Sequence, residues 1–290
     1  MVRFKRDPSG PGRVIDRRGG GGGSLLKMGA GGGGIVALIA LALMLFGGGD
    51  SGMGDLIDVL APATQTEQEA PLDPAQDPDR DLVGFLGDVL ADSQAMWAEI
   101  FAESDLQYQP TDLVIFSGAT QSGCGGAHAQ VGPHYCPPDQ NIYMDLDFLE
   151  KLQQQFGAAG DTAQAYIVSH EVAHHIQNQL GVLEEVMQVQ QSDPERGQEA
   201  QIDLELQADC FAGVWLSTLR TGESAAVLQE GDLQEALNAA AAVGDDNIQE
   251  TTTGRVNPEN WTHGSSEQRY EWLKRGFDSG DPSSCDTFGA

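Results

Sequence analysis

Basic residues are scarce. The 290-residue chain holds 15 Lys and Arg against 44 Asp and Glu, a formal net charge of −29 at pH 7. Seven of the 15 fall in residues 1–27 beside two acids, which leaves eight basic and 42 acidic residues for the rest. A body that acidic repels phosphate backbones and anionic headgroups, so nucleic acid is excluded as a partner and anionic lipid is disfavoured. The acid excess itself reads as a solvated surface. Cysteine is sparse too. Cys124, Cys136, Cys210 and Cys285 include no C-x-x-C pair, which argues against a thiolate zinc cluster. There is no internal repeat, so repeat architectures drop out.

Charge is missing altogether between Met28 and Gly49, and the centre, Ile35 to Phe46, is continuously apolar. That is long enough for one helical membrane crossing. The basic residues precede it, so the spacing and charge predict an uncleaved signal anchor with a cytoplasmic N-terminus and an exported body. No small-residue cleavage site follows the apolar core at once. The expected organisation is a basic, Gly-rich, disordered cytoplasmic tail at 1–27, a transmembrane anchor at 28–49, a Pro-, Gln- and acid-rich flexible linker at 50–80, and one domain at 81–290. The single-pass inner or cytoplasmic membrane location puts the domain in the periplasm or outside the cell. Four cysteines fit that oxidising setting, with three possible pairings. Cys124 and Cys136 bracket a short loop and are the natural pair, which leaves Cys210 with Cys285.

Within 81–290 the apolar periodicity predicts helices at about 81–102, 148–156, 162–180, 195–219, 232–243 and 265–277. Leu113 to Phe116 and Asn141 to Asp145 read as short strands around a Gly- and Cys-rich loop at 123–138. The expected class is α+β: mostly helical, with a small sheet.

His170-Glu171-Val172-Ala173-His174 has the form H-E-x-x-H inside a predicted helix. Imidazoles four apart share a helix face and can grip one Zn²⁺, and the glutamate between them can take a proton from water on the metal. The neighbours Tyr166, Ile167, Val168, Val172, Ala173 and Ile176 are apolar, so the polar groups are expected to be buried and to need partners. A catalytic site needs a third ligand. Glu205 and Asp209, also four apart and set among Leu204, Leu206, Ala208, Phe211 and Ala212, supply it: Glu205 to the metal, Asp209 to the outer nitrogen of a ligand histidine. His175 points about 100° away from His174 and is structural. His128 and His134 sit in the cysteine loop as ordinary loop residues. His263, just before a helix that Ser265 or Ser266 can cap, is a candidate oxyanion donor.

These residues resemble the bacterial neutral zinc metallopeptidase family, whose members are membrane-anchored and of zincin type. The resemblance covers about residues 82–290. It rests on Gly132-Pro133-His134-Tyr135-Cys136-Pro137 with Ile142-Tyr143-Met144-Asp145, on His170 to His175, on Glu205-Leu206-Gln207-Ala208-Asp209, and on His263-Gly264-Ser265-Ser266-Glu267-Gln268-Arg269. One departure is His134, where an aromatic residue such as Phe is expected. More distantly, the Glu205 and His263 blocks are similar to those of the integral-membrane CAAX-type peptidases. The resemblance implies a zincin-like fold and one Zn²⁺ per chain on His170, His174 and Glu205, with Asp209 behind them. It also implies Glu171 as base, His263 as transition-state donor, and a peptide or protein substrate. The strand Ile142-Tyr143-Met144 is either a sheet edge for an extended substrate or a core strand. The rival to a membrane-tethered endopeptidase is an inactive tethered zinc scaffold or binding module.

Overall fold

Leu113-Val114-Ile115-Phe116 alternates its side chains between two faces, and both are buried. This strand, β2 (Asp112–Phe116), lies inside a four-stranded sheet of order β1-β2-β6-β5, with β1 (Val14–Asp16), β5 (His134–Cys136) and β6 (Asn141–Asp145). β1 and β6 flank β2 in parallel, and β5 pairs with β6 antiparallel. A separate hairpin joins β3 (Ala119–Ser122) to β4 (Gly125–His128). This is a computed structural model, which describes residues 11–18, 77–128, 132–156, 160–221 and 228–289.

One sheet face (Leu113, Ile115, Ile142, Met144) joins the main core with α1 (Arg80–Glu103), through Leu86, Val89, Leu90 and Trp97, and with α3 (Asp161–Gln179). The other face (Val114, Phe116, Tyr143) packs on Ala127 of the hairpin and on Cys136. Parallel strands buried on both sides read as continuous apolar runs, as these do. The remaining helices are α2 (Leu146–Phe156), α4 (Val182–Ser192), α5 (Pro194–Thr221), α6 (Asp232–Ala242), α7 (Asp245–Thr253) and α8 (Ser266–Ser279). The class is therefore α+β, mostly helical with small sheets.

α5 and α8 cross closely because each carries a glycine at the contact. A Cβ on Gly213 would lie 2.1 Å from the Leu273 carbonyl oxygen, and one on Gly276 1.9 Å from that of Cys210. Both disulfides form as the loop spacing predicts, Cys124–Cys136 and Cys210–Cys285. The second ties the C-terminal tail to the middle of α5.

Several expectations need correction. Residues 1–27 are not a disordered tail throughout, because Val14–Asp16 form the edge strand β1. The predicted anchor at 28–49 falls outside the described residues, as does most of the predicted linker. Among the described residues no helix is long and apolar enough to cross a membrane. Of the two alternatives for Ile142-Tyr143-Met144, the structure shows the core strand, since β2 and β5 occupy both sides of β6. The cysteine loop is largely hairpin and strand. α4 and α7 had no counterpart in the periodicity: α4 follows α3 directly at Gly181 (φ 83°), and α7 is short and mostly polar.

Candidate metal centre

The H-E-x-x-H run sits in the second half of α3, a helix buried along most of its length. Its partner is α5. Tyr166 meets Asp209, His170 meets both Asp209 and Glu205, His174 meets Glu205, and Gln177 meets the Leu204 carbonyl. Numbers rise along α3 as they fall along α5, so the two helices run antiparallel at the site. Glu205 Oε2 lies 3.2 Å from His170 Nε2 and 3.6 Å from His174 Nε2. One donor atom from each of the three residues falls within a 4.8 Å cluster. Their side chains are only 9, 13 and 9% exposed for His170, His174 and Glu205.

Two imidazoles and a carboxylate converging away from water fit a divalent cation well. Nitrogen and oxygen donors of this kind suit Zn²⁺, and three of them leave a position for water. Glu171, next to His170 in the chain, is buried, and its Oε2 has no hydrogen-bond partner among the described residues. A buried orphan carboxylate oxygen is costly unless a ligand or proton meets it. Among the described residues one other acidic group clusters similarly, Asp161, Asp232 and Glu235. It lies in the first turns of α3 and α6, where helix dipoles favour acids, and it offers no imidazole.

The outer nitrogen of each ligand histidine is also engaged. His170 Nδ1 is 2.9 Å from Asp209 Oδ1. The approach is off the ring N–H direction, so charge more than a linear hydrogen bond carries the contact. Asp209 is fully buried. It accepts from Tyr166 Oη at 2.5 Å and is gripped by Arg269, Nε to Oδ2 at 2.8 Å and Nη2 to Oδ1 at 2.9 Å. Burial pushes the Asp209 carboxyl up, but Arg269 and His170 outweigh it and hold it below the usual range. Burial likewise opposes ionisation of Glu205, and His174 and His170 beside it bring it well below an ordinary carboxyl. His174 Nδ1 donates to Gln177 Oε1 at 2.8 Å. Gln177 Nε2 donates to Leu204 O at 2.7 Å and to Gln207 Oε1 at 3.1 Å, and Gln207 Nε2 donates to Cys285 O at 3.2 Å. Both ligand rings thus present Nε2 inward, and each is held from behind.

Asp245, at the start of α7, organises the 262–264 loop. Its Oδ2 accepts the backbone N–H groups of Thr262, His263 and Gly264 at 2.7, 2.6 and 3.1 Å. Its Oδ1 is 3.3 Å from His263 Nδ1. That leaves His263 Nε2 for other work. The ring is 27% exposed, more open than the three ligands, and close enough to Glu205 to feel its charge. Ser265 caps α8 in a capping box with Gln268.

His175 is fully buried and outside the donor cluster, as expected. Its Nε2 donates to Gln109 O at 2.6 Å, and Tyr135 Oη donates to its Nδ1 at 2.9 Å. His134 stacks on Tyr143 with centroids 5.3 Å apart and 13° between planes, so the imidazole fills the place of the expected aromatic ring. His128 pairs through its backbone with Ala119. The sequence reading missed Tyr166, Gln177, Gln207, Asp245 and Arg269. Gln207 and Arg269 stood within the motif blocks, but neither block's spacing names a partner on another element, such as the Asp209 that Arg269 meets sixty residues upstream.

The chain matches, over residues 3–288, the profile of a family described as "Putative neutral zinc metallopeptidase". It is 43% identical over 229 residues to the protein YpfJ of Escherichia coli K12, covering 79% of this chain and 78% of that one. It is 49% identical over 192 residues to the protein Rv2575 of Mycobacterium tuberculosis H37Rv, covering 63% of this chain and 64% of that one. Neither relative's name assigns an activity. No solved structure gives a significant match.

Proposed function

Since the chain belongs to the neutral zinc metallopeptidase family, we propose that it is a zinc-dependent endopeptidase built on His170, His174 and Glu205. The observation that carries this reading is the convergence of the His170, His174 and Glu205 donors, with Glu171, a buried carboxylate whose Oε2 has no partner among the described residues, next to His170 in the chain. A site that only stapled the fold has no use for that carboxylate. Zn²⁺ bound there would supply Lewis acidity and bring the pKa of a ligated water towards about 7.

The chain's own groups then divide the work. Glu171 takes the proton from the attacking water and returns it to the leaving amine. His263, its Nδ1 facing Asp245, offers Nε2–H to the oxyanion. Its pKa is raised: burial works against protonation, but Asp245 and Glu205 favour it by more. Asp209 and Gln177 keep the two ligand rings in the tautomer that points Nε2 inward. Substrates are peptides or proteins. Two disulfides fit an oxidising compartment, and the uncharged run at 28–49 fits membrane attachment, so on this reading the domain works tethered to a membrane outside the cytoplasm.

Glu171→Gln tests it. Hydrolysis of a peptide library or casein should fall by about 10²–10⁴-fold while zinc content per chain is unchanged. Undiminished cleavage would remove Glu171 as the base. An unmutated, zinc-loaded chain that cleaves nothing would favour a tethered scaffold instead.

A further inference from the structure

Asp209 stands behind His170, and Gln177 stands behind His174. Glu205 has a partner of its own. Its Oε2 faces the two imidazoles, while its Oε1 accepts from Gln201 Nε2 at 3.2 Å. Gln201 lies four residues before Glu205 on α5, so the two side chains are neighbours on one helix face. The Glu205 side chain is only 9% exposed, and a buried carboxylate oxygen without a partner is costly.

Gln201 is held in its turn. A primary amide has donors at one end and an acceptor at the other, and only the donor end suits a carboxylate. Gln190 Nε2 donates to Gln201 Oε1 at 2.9 Å, which keeps that oxygen turned away from Glu205. Gln190 comes from α4, which Asp193 alone separates from α5. The two helices approach closely at this point. A Cβ on Gly197 would stand 2.6 Å from the Gln190 Cα, so a side chain at 197 would push α4 away from α5.

We propose that Gln201 is a positioning residue of the metal centre, holding Glu205 Oε1 so that Oε2 alone is turned to the cation, with Gln190 fixing the orientation of Gln201. A carboxylate can hold a cation through one oxygen or through both. Both oxygens of Glu205 beside two imidazoles would crowd out the water that a hydrolytic site keeps. One oxygen leaves that position open. Gln201 thus sets the number of protein donors without touching the ion. The inference rests on the metal reading of His170, His174 and Glu205, and it is independent of whether peptides are cleaved.

The test measures the zinc affinity of the full chain by competition with a chromophoric chelator. Gln201→Leu should raise the zinc Kd by about 10–100-fold, the usual loss when an outer partner of a ligand is removed. Co²⁺ in place of zinc gives a second readout, because its visible bands move when a second carboxylate oxygen joins the shell. They should move in Gln201→Leu, whereas loss of a merely structural residue would leave them in place. Either an unchanged Kd or unmoved cobalt bands overturns the proposal. Gln190→Glu decides independently, and it covers the case in which Gln201→Leu does not fold. Its carboxylate would accept from Gln201 Nε2 and turn the Gln201 oxygen onto Glu205, so zinc should bind more weakly here too. Wild-type affinity in Gln190→Glu also overturns the proposal. A wild-type chain that binds no zinc would remove the metal reading itself, a different result from a zinc-binding chain that the variants leave unaltered.

Discussion

Asp209 is fully buried, and three groups depend on it: Arg269 grips it bidentately, Tyr166 donates to it and His170 faces it. Arg269 is itself buried, with its remaining contacts to Tyr166 Oη and the Val243 carbonyl. Removing one partner of a buried pair leaves the other charge unmet. Arg269→Leu should therefore destabilise the metal-free protein by roughly 3–5 kcal/mol in urea unfolding, although Arg269 is no metal ligand. A loss near zero would mean that Asp209 is solvated or protonated. At this scale the candidate metal site was half legible. His170, Glu171 and His174 share one helix, and Glu205 and Asp209 share another, so the periodicity of each helix announced them. Arg269, Gln177 and Gln207 were silent, because an amide or guanidinium in a polar stretch reads as surface until the fold supplies what it touches.

Among the elements, α5 carries the most: two site residues, the glycine crossing with α8 and the cysteine that holds the C-terminal tail. The Cys210–Cys285 bridge closes a separation of 75 residues, which corresponds to about 4–4.5 kcal/mol of restricted unfolded-chain entropy. Replacing both cysteines by Ser should lower the unfolding free energy by that order. Because Gln207 donates to the Cys285 carbonyl, it should also weaken zinc retention. Equal stability of the double variant would assign the tail no structural role. The long helices and both central strands followed from apolar spacing. β1, β3, β4 and β5 did not, because strands of three or four residues carry no alternation long enough to read. β1 holds its place through the β2 ladder and the ion pairs of Arg18 with Asp77 and Asp79, all of which are long-range.

For the whole molecule, zinc would join α3 to α5, while the main apolar core and two disulfides are independent of it. Chelation should lower the melting temperature and leave the far-ultraviolet dichroism of the folded state intact. Zinc in excess at a hundred times its Kd should restore about 2.7 kcal/mol. Complete unfolding on chelation would recast the site as a structural staple. The acidic body favours solubility and repels polyanions.

The order of residues in the chain was enough to place the candidate groups: two imidazoles, a carboxylate between them and a second carboxylate pair, each at one helical turn's spacing. It also favoured, among three possible pairings, the two disulfides that the structure shows, and it indicated the helical class. Tertiary structure alone decided which groups stand behind the ligands, that β6 is an interior strand, and that a basic N-terminal segment is part of the domain. Helical spacing is a local property that periodicity reveals. A partner for Asp209 or an edge for β1 comes from chain segments dozens of residues away, and only packing brings those together.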